Sequence, residues 1–108
     1  MVYWHGLNGR EDAAERKRAA GEYVKILREA AGMTQLEVTK ALGLNHYTFV
    51  SQVETGQTRL PSERIAGWAD ALRADRRAFA KRLLHYYNPH AWEALFGPSR
   101  GIAARQAD

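Results

Sequence analysis

Apolar residues along this chain recur at intervals of three and four, the pattern of helices that bury one face. Val24, Leu27 and Ala31 are spaced i, i+3, i+7 and are followed by Gly32, so the first helix is predicted from about Glu22 to Ala31. Val38 and Leu42 mark one face of a second helix, Gln35 to Leu42. Thr34 before it and Glu37 three positions on have capping-box spacing, and Gly43 after it tolerates positive φ. The third helix, about His46 to Thr55, carries apolar Phe49, Val50 and Val53, with Asn45 as its expected N-cap and Gly56 as its stop. Ile65, Trp68, Ala69 and Leu72 form the inner face of a fourth helix, about Ser62 to Leu72. Asp75 is expected to cap a fifth, Arg76 to about Tyr86, with Phe79, Leu83 and Tyr86 turned inward. Asn88 as cap and Pro89 in first position open a sixth, Pro89–Phe96, and Gly97-Pro98 closes it.

Two stretches carry no such stripe. Residues 11–20, EDAAERKRAA, are strong helix formers with acids first and bases last, but almost no large apolar residue. They are expected to be a solvated helix or a lead-in to the first one; the Arg16-Lys17-Arg18 run could touch phosphate, against the plainer reading that such a charge run is a wet face. Residues 1–10 have no period, and their Tyr3 and Trp4 are expected to be exposed or docked on a neighbour; residues 99–108 look like a loose tail. No alternating strand pattern, repeat or low-complexity segment occurs, so the fold class is all-α. The division this suggests is an arm over 1–20, a compact unit over 21–87, and a C-terminal helix and tail over 88–108.

Composition narrows the function. A chain of 108 residues is expected to be one domain with a single small core. The net charge of +4 favours an anionic partner, though weakly by itself. The absence of cysteine excludes disulfides, Cys-type zinc sites and a thiol nucleophile. His5, His46, His85 and His90 lack metal-ligand spacing, and there is no glycine-rich phosphate loop. No metal, cofactor or catalytic activity is therefore expected. No apolar run approaches the roughly 18 residues of a membrane span, and the first residues lack a signal-peptide core. The expected location is the cytoplasm, on the nucleoid.

The stretch Thr34–Gly56, two short helices about a tight turn, carries a resemblance. With Leu27-Arg28, Gly32-Met33-Thr34-Gln35, Val38, Leu42-Gly43, Val50-Ser51-Gln52-Val53-Glu54, Gly56, Pro61, Ala69 and Ala71-Leu72, it resembles the lambda-repressor-like, or XRE, helix-turn-helix family over roughly residues 20–87. The resemblance implies a bundle of about five helices that lays its third helix in the DNA major groove. Two features depart from the family. Gly43 to Gly56 is one residue longer than usual, with the extra residue expected near Leu44–His46. Arg73-Ala74-Asp75-Arg76 replaces a frequent Gly-Val-Asp-Pro.

Candidate site residues follow. Thr48 and Gln52 share a helix face at i, i+4; Gln52 has a donor and an acceptor that fit adenine N6/N7, and Thr48 a methyl that fits thymine. His46 and Tyr47 stand at the start of that helix and Ser51 on its polar side, so the base-reading set is His46, Tyr47, Thr48, Ser51 and Gln52. The alternative is a merely solvated polar face. Gln35, at the start of the second helix, is expected to hold a phosphate. The resemblance adds Thr58 and Arg59 in the following loop, and Thr34 and Asn45 complete the phosphate set. It also makes Arg28 and Glu54 a structural ion pair that locks the first helix to the end of the third. Tyr86, Trp92, Leu95 and Phe96 are the expected dimer or partner interface. The function implied is a homodimeric repressor, or an autorepressor where it controls its own operon, on a palindromic double-stranded operator. The rival is an antitoxin or adaptor that covers a protein partner with its C-terminal helix.

Overall fold

The computed structural model describes residues 9–98. Within them lie six α-helices and no strand: α1 (Gly9–Ala30), α2 (Gln35–Ala41), α3 (Thr48–Thr55), α4 (Ile65–Ala71), α5 (Arg76–Tyr87) and α6 (Pro89–Phe96). The expectations for Tyr3, Trp4 and residues 99–108 lie outside the described residues.

α1 is longer than its apolar stripe predicts, because the lead-in and the first helix are one continuous helix. Its N-terminal half needs no large apolar residue to be held. Ala20 is fully buried, and Arg16 pairs with Asp12 one turn back while its Nε donates to the Tyr86 carbonyl at 3.1 Å. Val24 then continues the stripe into the core.

The core gathers Ala20, Val24, Val38, Val50, Val53, Leu60, Trp68, Ala69, Leu72, Phe79 and Leu83. Trp68 is 1% exposed and meets Phe49 edge-on at 5.9 Å, which fastens α4 to α3. Tyr23 stacks on Phe79 at 5.9 Å between α1 and α5.

Side-chain caps set the starts of α2, α5 and α6. Thr34 Oγ1 accepts from the Glu37 amide at 3.1 Å, and Glu37 Oε1 accepts from the Thr34 amide at 2.8 Å, a complete capping box. Asp75 Oδ2 accepts from the Ala78 amide and Asn88 Oδ1 from the Ala91 amide. Two starts differ from expectation. α3 begins at Thr48 with Tyr47 at the cap position and no side-chain cap, so Asn45 does not cap it. Residues 42–47 instead form a connection of turns and a bend, and the packing of Phe49, Val50 and Val53 fixes where the helix starts. The fourth helix opens with a 3-10 turn, Ser62–Arg64, in which the Arg64 amide bonds the Pro61 carbonyl.

α2 and α4 end alike. The Gly43 and Leu44 amides return to the carbonyls of Lys40 and Thr39, and the Arg73 and Ala74 amides to those of Asp70 and Ala69. In each motif one residue takes the left-handed conformation: Gly43 at φ 73°, but Arg73 at φ 59°. A side chain there costs energy that glycine avoids. Arg73→Gly should therefore raise stability by about 0.5–1 kcal/mol, after allowing for glycine's freer unfolded state. A rise in melting temperature of about 2–8 °C checks this; a lower one would mean that the Arg73 side chain holds the turn.

Candidate nucleic-acid interface

α3 is anchored along one side and open along another. Val50 and Val53 are fully buried, and the Glu54 side chain is 3% exposed. Arg28 Nε reaches Glu54 Oε2 at 2.6 Å and Nη2 reaches Oε1 at 3.1 Å, a two-pronged bond from α1 to the last turn of α3. Arg28 Nη1 also donates to the Met33 carbonyl, tying the loop before α2 to the same point. The bond to Glu54 raises the Arg28 pKa above its ordinary value, outweighing burial, so the guanidinium stays charged.

The expected base readers fall on the free side and in the turn before it. His46 and Tyr47 are exposed in the connection, not in the helix. Thr48 is the first helical residue and is exposed; Ser51 and Gln52, one turn on, are half-buried. The Thr55 hydroxyl donates back to the Ser51 carbonyl at 3.0 Å. Asn45, His46, Tyr47 and Thr48 are thus exposed one after another from the turn into α3, and Ser51 and Gln52 follow half-buried.

The expected phosphate residues are more scattered. Thr34 spends its hydroxyl and amide in the capping box. Gln35 Nε2 donates to Glu54 Oε1 at 3.0 Å, so its amide is held by the buried pair and its remaining groups face a notch of about 370 Å³. That notch is lined by Arg18, Glu22, Lys25, Gln35, Glu54 and Thr55. Arg18 and Lys25 are cations that sequence reading missed as a pair. They are seven residues apart, a spacing that puts them on one helix face only if α1 runs unbroken through residue 21. The Thr58 amide closes on the Gln52 carbonyl at 3.3 Å. Arg59 lies over the Tyr87 ring at 4.6 Å, in a groove between the loop, α5 and α6.

The four expected interface residues divide between two clefts. Tyr86 and Trp92 line one with Tyr23, Arg82 and His85; Leu95 and Phe96 line the other with Leu60, Ile65, Leu84 and Tyr87. α6 packs on α5 of its own chain, Trp92 against His85 at 4.4 Å, yet Leu95 remains 67% exposed and Phe96 45%.

Among the described residues no group of three or more His, Asp or Glu side chains is placed to hold a metal ion, and no helix is long and apolar enough to cross a membrane. A family model described as a helix-turn-helix domain matches residues 19–85, more than half of the chain. A search of curated proteins finds no match.

Proposed function

Because this chain belongs to the helix-turn-helix domain family, we propose that it is a sequence-specific regulator of transcription, of the XRE type, that binds a double-stranded operator as a homodimer and represses by occupying it. The observation that carries this reading is the asymmetry of α3: one side fastened by Val50, Val53 and the Arg28–Glu54 pair, the other a rim of exposed and half-buried polar side chains. A reading helix needs both, since base contacts carry information only when the helix is held at a fixed angle. Residues 21–87 are the reading unit. Thr48, Ser51 and Gln52 meet base edges, and His46 and Tyr47 reach in from the turn. Gln35, Asn45 and Thr58 hold the backbone, with Thr34 orienting α2 for them. Arg18 and Lys25, beside Gln35, add two cations to the phosphate set. Arg59 is left out of it, because its stacking on Tyr87 turns it into a different groove. A protein that works on an operator belongs on the nucleoid, in the cytoplasm.

The test is selection of bound duplexes from a random DNA pool, followed by gel shifts on the selected site. Gln52→Ala should weaken the selected site by about 1–3 kcal/mol and leave random DNA nearly unchanged. Arg18→Ala and Lys25→Ala should weaken both alike and each lower the salt slope by about 1. Failure to select any site would sink the proposal. Wild-type affinity in Gln52→Ala would shift the register of α3.

A second reading, an antitoxin or adaptor that covers a protein partner, is favoured by the exposure of Leu95 and Phe96. These side chains suit either a partner or a two-fold interface built from α5 and α6. Truncation after Asn88 separates the two in light scattering and gel shifts. A folded monomer with weakened, non-cooperative operator binding supports the homodimer. Unchanged dimerisation and DNA binding move α6 to the service of another protein.

A further inference from the structure

The groove between the loop 59–65, α5 and α6 has a composition that DNA binding does not use. It holds about 500 Å³, inside the roughly 300–1,000 Å³ of small-ligand clefts. Leu60, Ile65 and Leu84 line it, and Leu95 and Phe96 form the α6 wall. Beside the neutral polar groups of Ser62, Tyr87 and Asn88 it carries three cations, Arg59, Arg77 and Lys81, with no carboxylate among the lining residues. None of the three is in an ion pair among the described residues. Two are held over rings that line the same groove, the Arg59 guanidinium 4.6 Å from the Tyr87 centroid and Lys81 Nζ 4.4 Å from that of Phe96. The Tyr87 hydroxyl accepts from the Leu60 amide at 3.1 Å, which pins the loop to α5 and keeps that side of the groove in shape.

We propose that this groove is a binding site for an apolar carboxylate, a small molecule with a hydrocarbon body and one anionic head. The body covers the apolar floor of Leu60, Ile65 and Leu84 and lies along the groove side of α6. The head meets cations that, without it, repel one another across a surface of low polarity. A neutral hydrocarbon would leave that repulsion in place, and a cation would add to it. A helical peptide, roughly 10–12 Å across with its side chains, rests on a cleft of this size without entering it, so a small molecule suits the volume better. Since α6 is one wall, an occupied groove also ties α6 to the loop after α3 as well as to α5.

The experiment is calorimetric titration of the full chain, without DNA, so that its outcome is independent of whether the operator reading holds. The probes are decanoate and decyltrimethylammonium, each below its micelle concentration, decan-1-ol below its solubility limit, and a 14-residue acidic amphipathic peptide. Decanoate is expected to bind saturably, one per chain, with the alcohol weaker by about tenfold or more and the ammonium compound silent. Arg77→Gln with Lys81→Gln, both exposed positions, should bring decanoate down to the level of the alcohol while the melting curve without ligand keeps its cooperative shape. Equal binding of alcohol and carboxylate, absence of saturation, or a double variant that binds decanoate as wild type does would each overturn the proposal. Binding of the peptide with none of decanoate would overturn it in favour of a protein-docking surface.

Discussion

Arg28→Met should remove about 3–5 kcal/mol of stability, a large fraction of the roughly 5–15 kcal/mol that holds a small domain folded. The reason is what the substitution leaves behind. The Glu54 side chain is 3% exposed and accepts from Arg28 twice and from Gln35 once. Without the guanidinium a buried carboxylate retains one neutral donor, and its desolvation is no longer offset. Arg28→Lys should recover only part of the loss, since one ammonium cannot serve two carboxylate oxygens and the Met33 carbonyl in the same fork. The check is a double-mutant cycle with Glu54→Gln in denaturant melts. Coupling of roughly 0.5–3 kcal/mol is expected; strict additivity would mean that the pair holds nothing together. Operator affinity should fall alongside stability even where the variant is fully folded, because the pair fixes the last turn of α3 against α1.

What the sequence makes legible here depends on the range of the interactions. α6 is readable to its ends, because Asn88-Pro89 and Gly97 act on their immediate neighbours. The box of Thr34 and Glu37 is readable for the same reason. The start of α3 is not: Asn45 has the better local capping chemistry, but the helix begins at Thr48, where the packing of Phe49 on Trp68 and the burial of Val50 place it. Local preference is worth about 1 kcal/mol, less than the burial of those side chains. α1 escapes a reading by stripe because its first half is held by an alanine, an ion pair and a bond to a carbonyl seventy residues away. With its length hidden, the shared face of Arg18 and Lys25 was hidden too. In the candidate interface, residue types along α3 can be read from the chain, but the involvement of Gln35 with Glu54 and the stacking of Arg59 on Tyr87 cannot. Both depend on where distant segments meet.

Two helical glycines should respond to the same substitution with opposite signs. From helix propensity alone, Gly21→Ala in α1 and Gly67→Ala in α4 should each gain about 1 kcal/mol. At Gly67 that expectation stands: the residue is exposed and nothing lies within 4 Å of an added Cβ. At Gly21 the Cβ would stand 2.4 Å from the carbonyl oxygens of both Val53 and Glu54. Those atoms belong to the backbone of α3 and cannot rotate away, so α1 and α3 must separate where the helices cross. Overpacking of this kind costs about 1–3 kcal/mol and sometimes more, which outweighs the propensity gain. The separation also pulls on the Arg28–Glu54 bond two turns along α1, adding to the loss. Gly21→Ala is therefore expected to lower the melting temperature and to weaken operator binding, and Gly67→Ala to raise the first and leave the second alone. Parallel melts and gel shifts of the two variants make the comparison. A stabilised Gly21→Ala would show that the crossing has slack, and that α3 is not held against α1 as closely as these distances require.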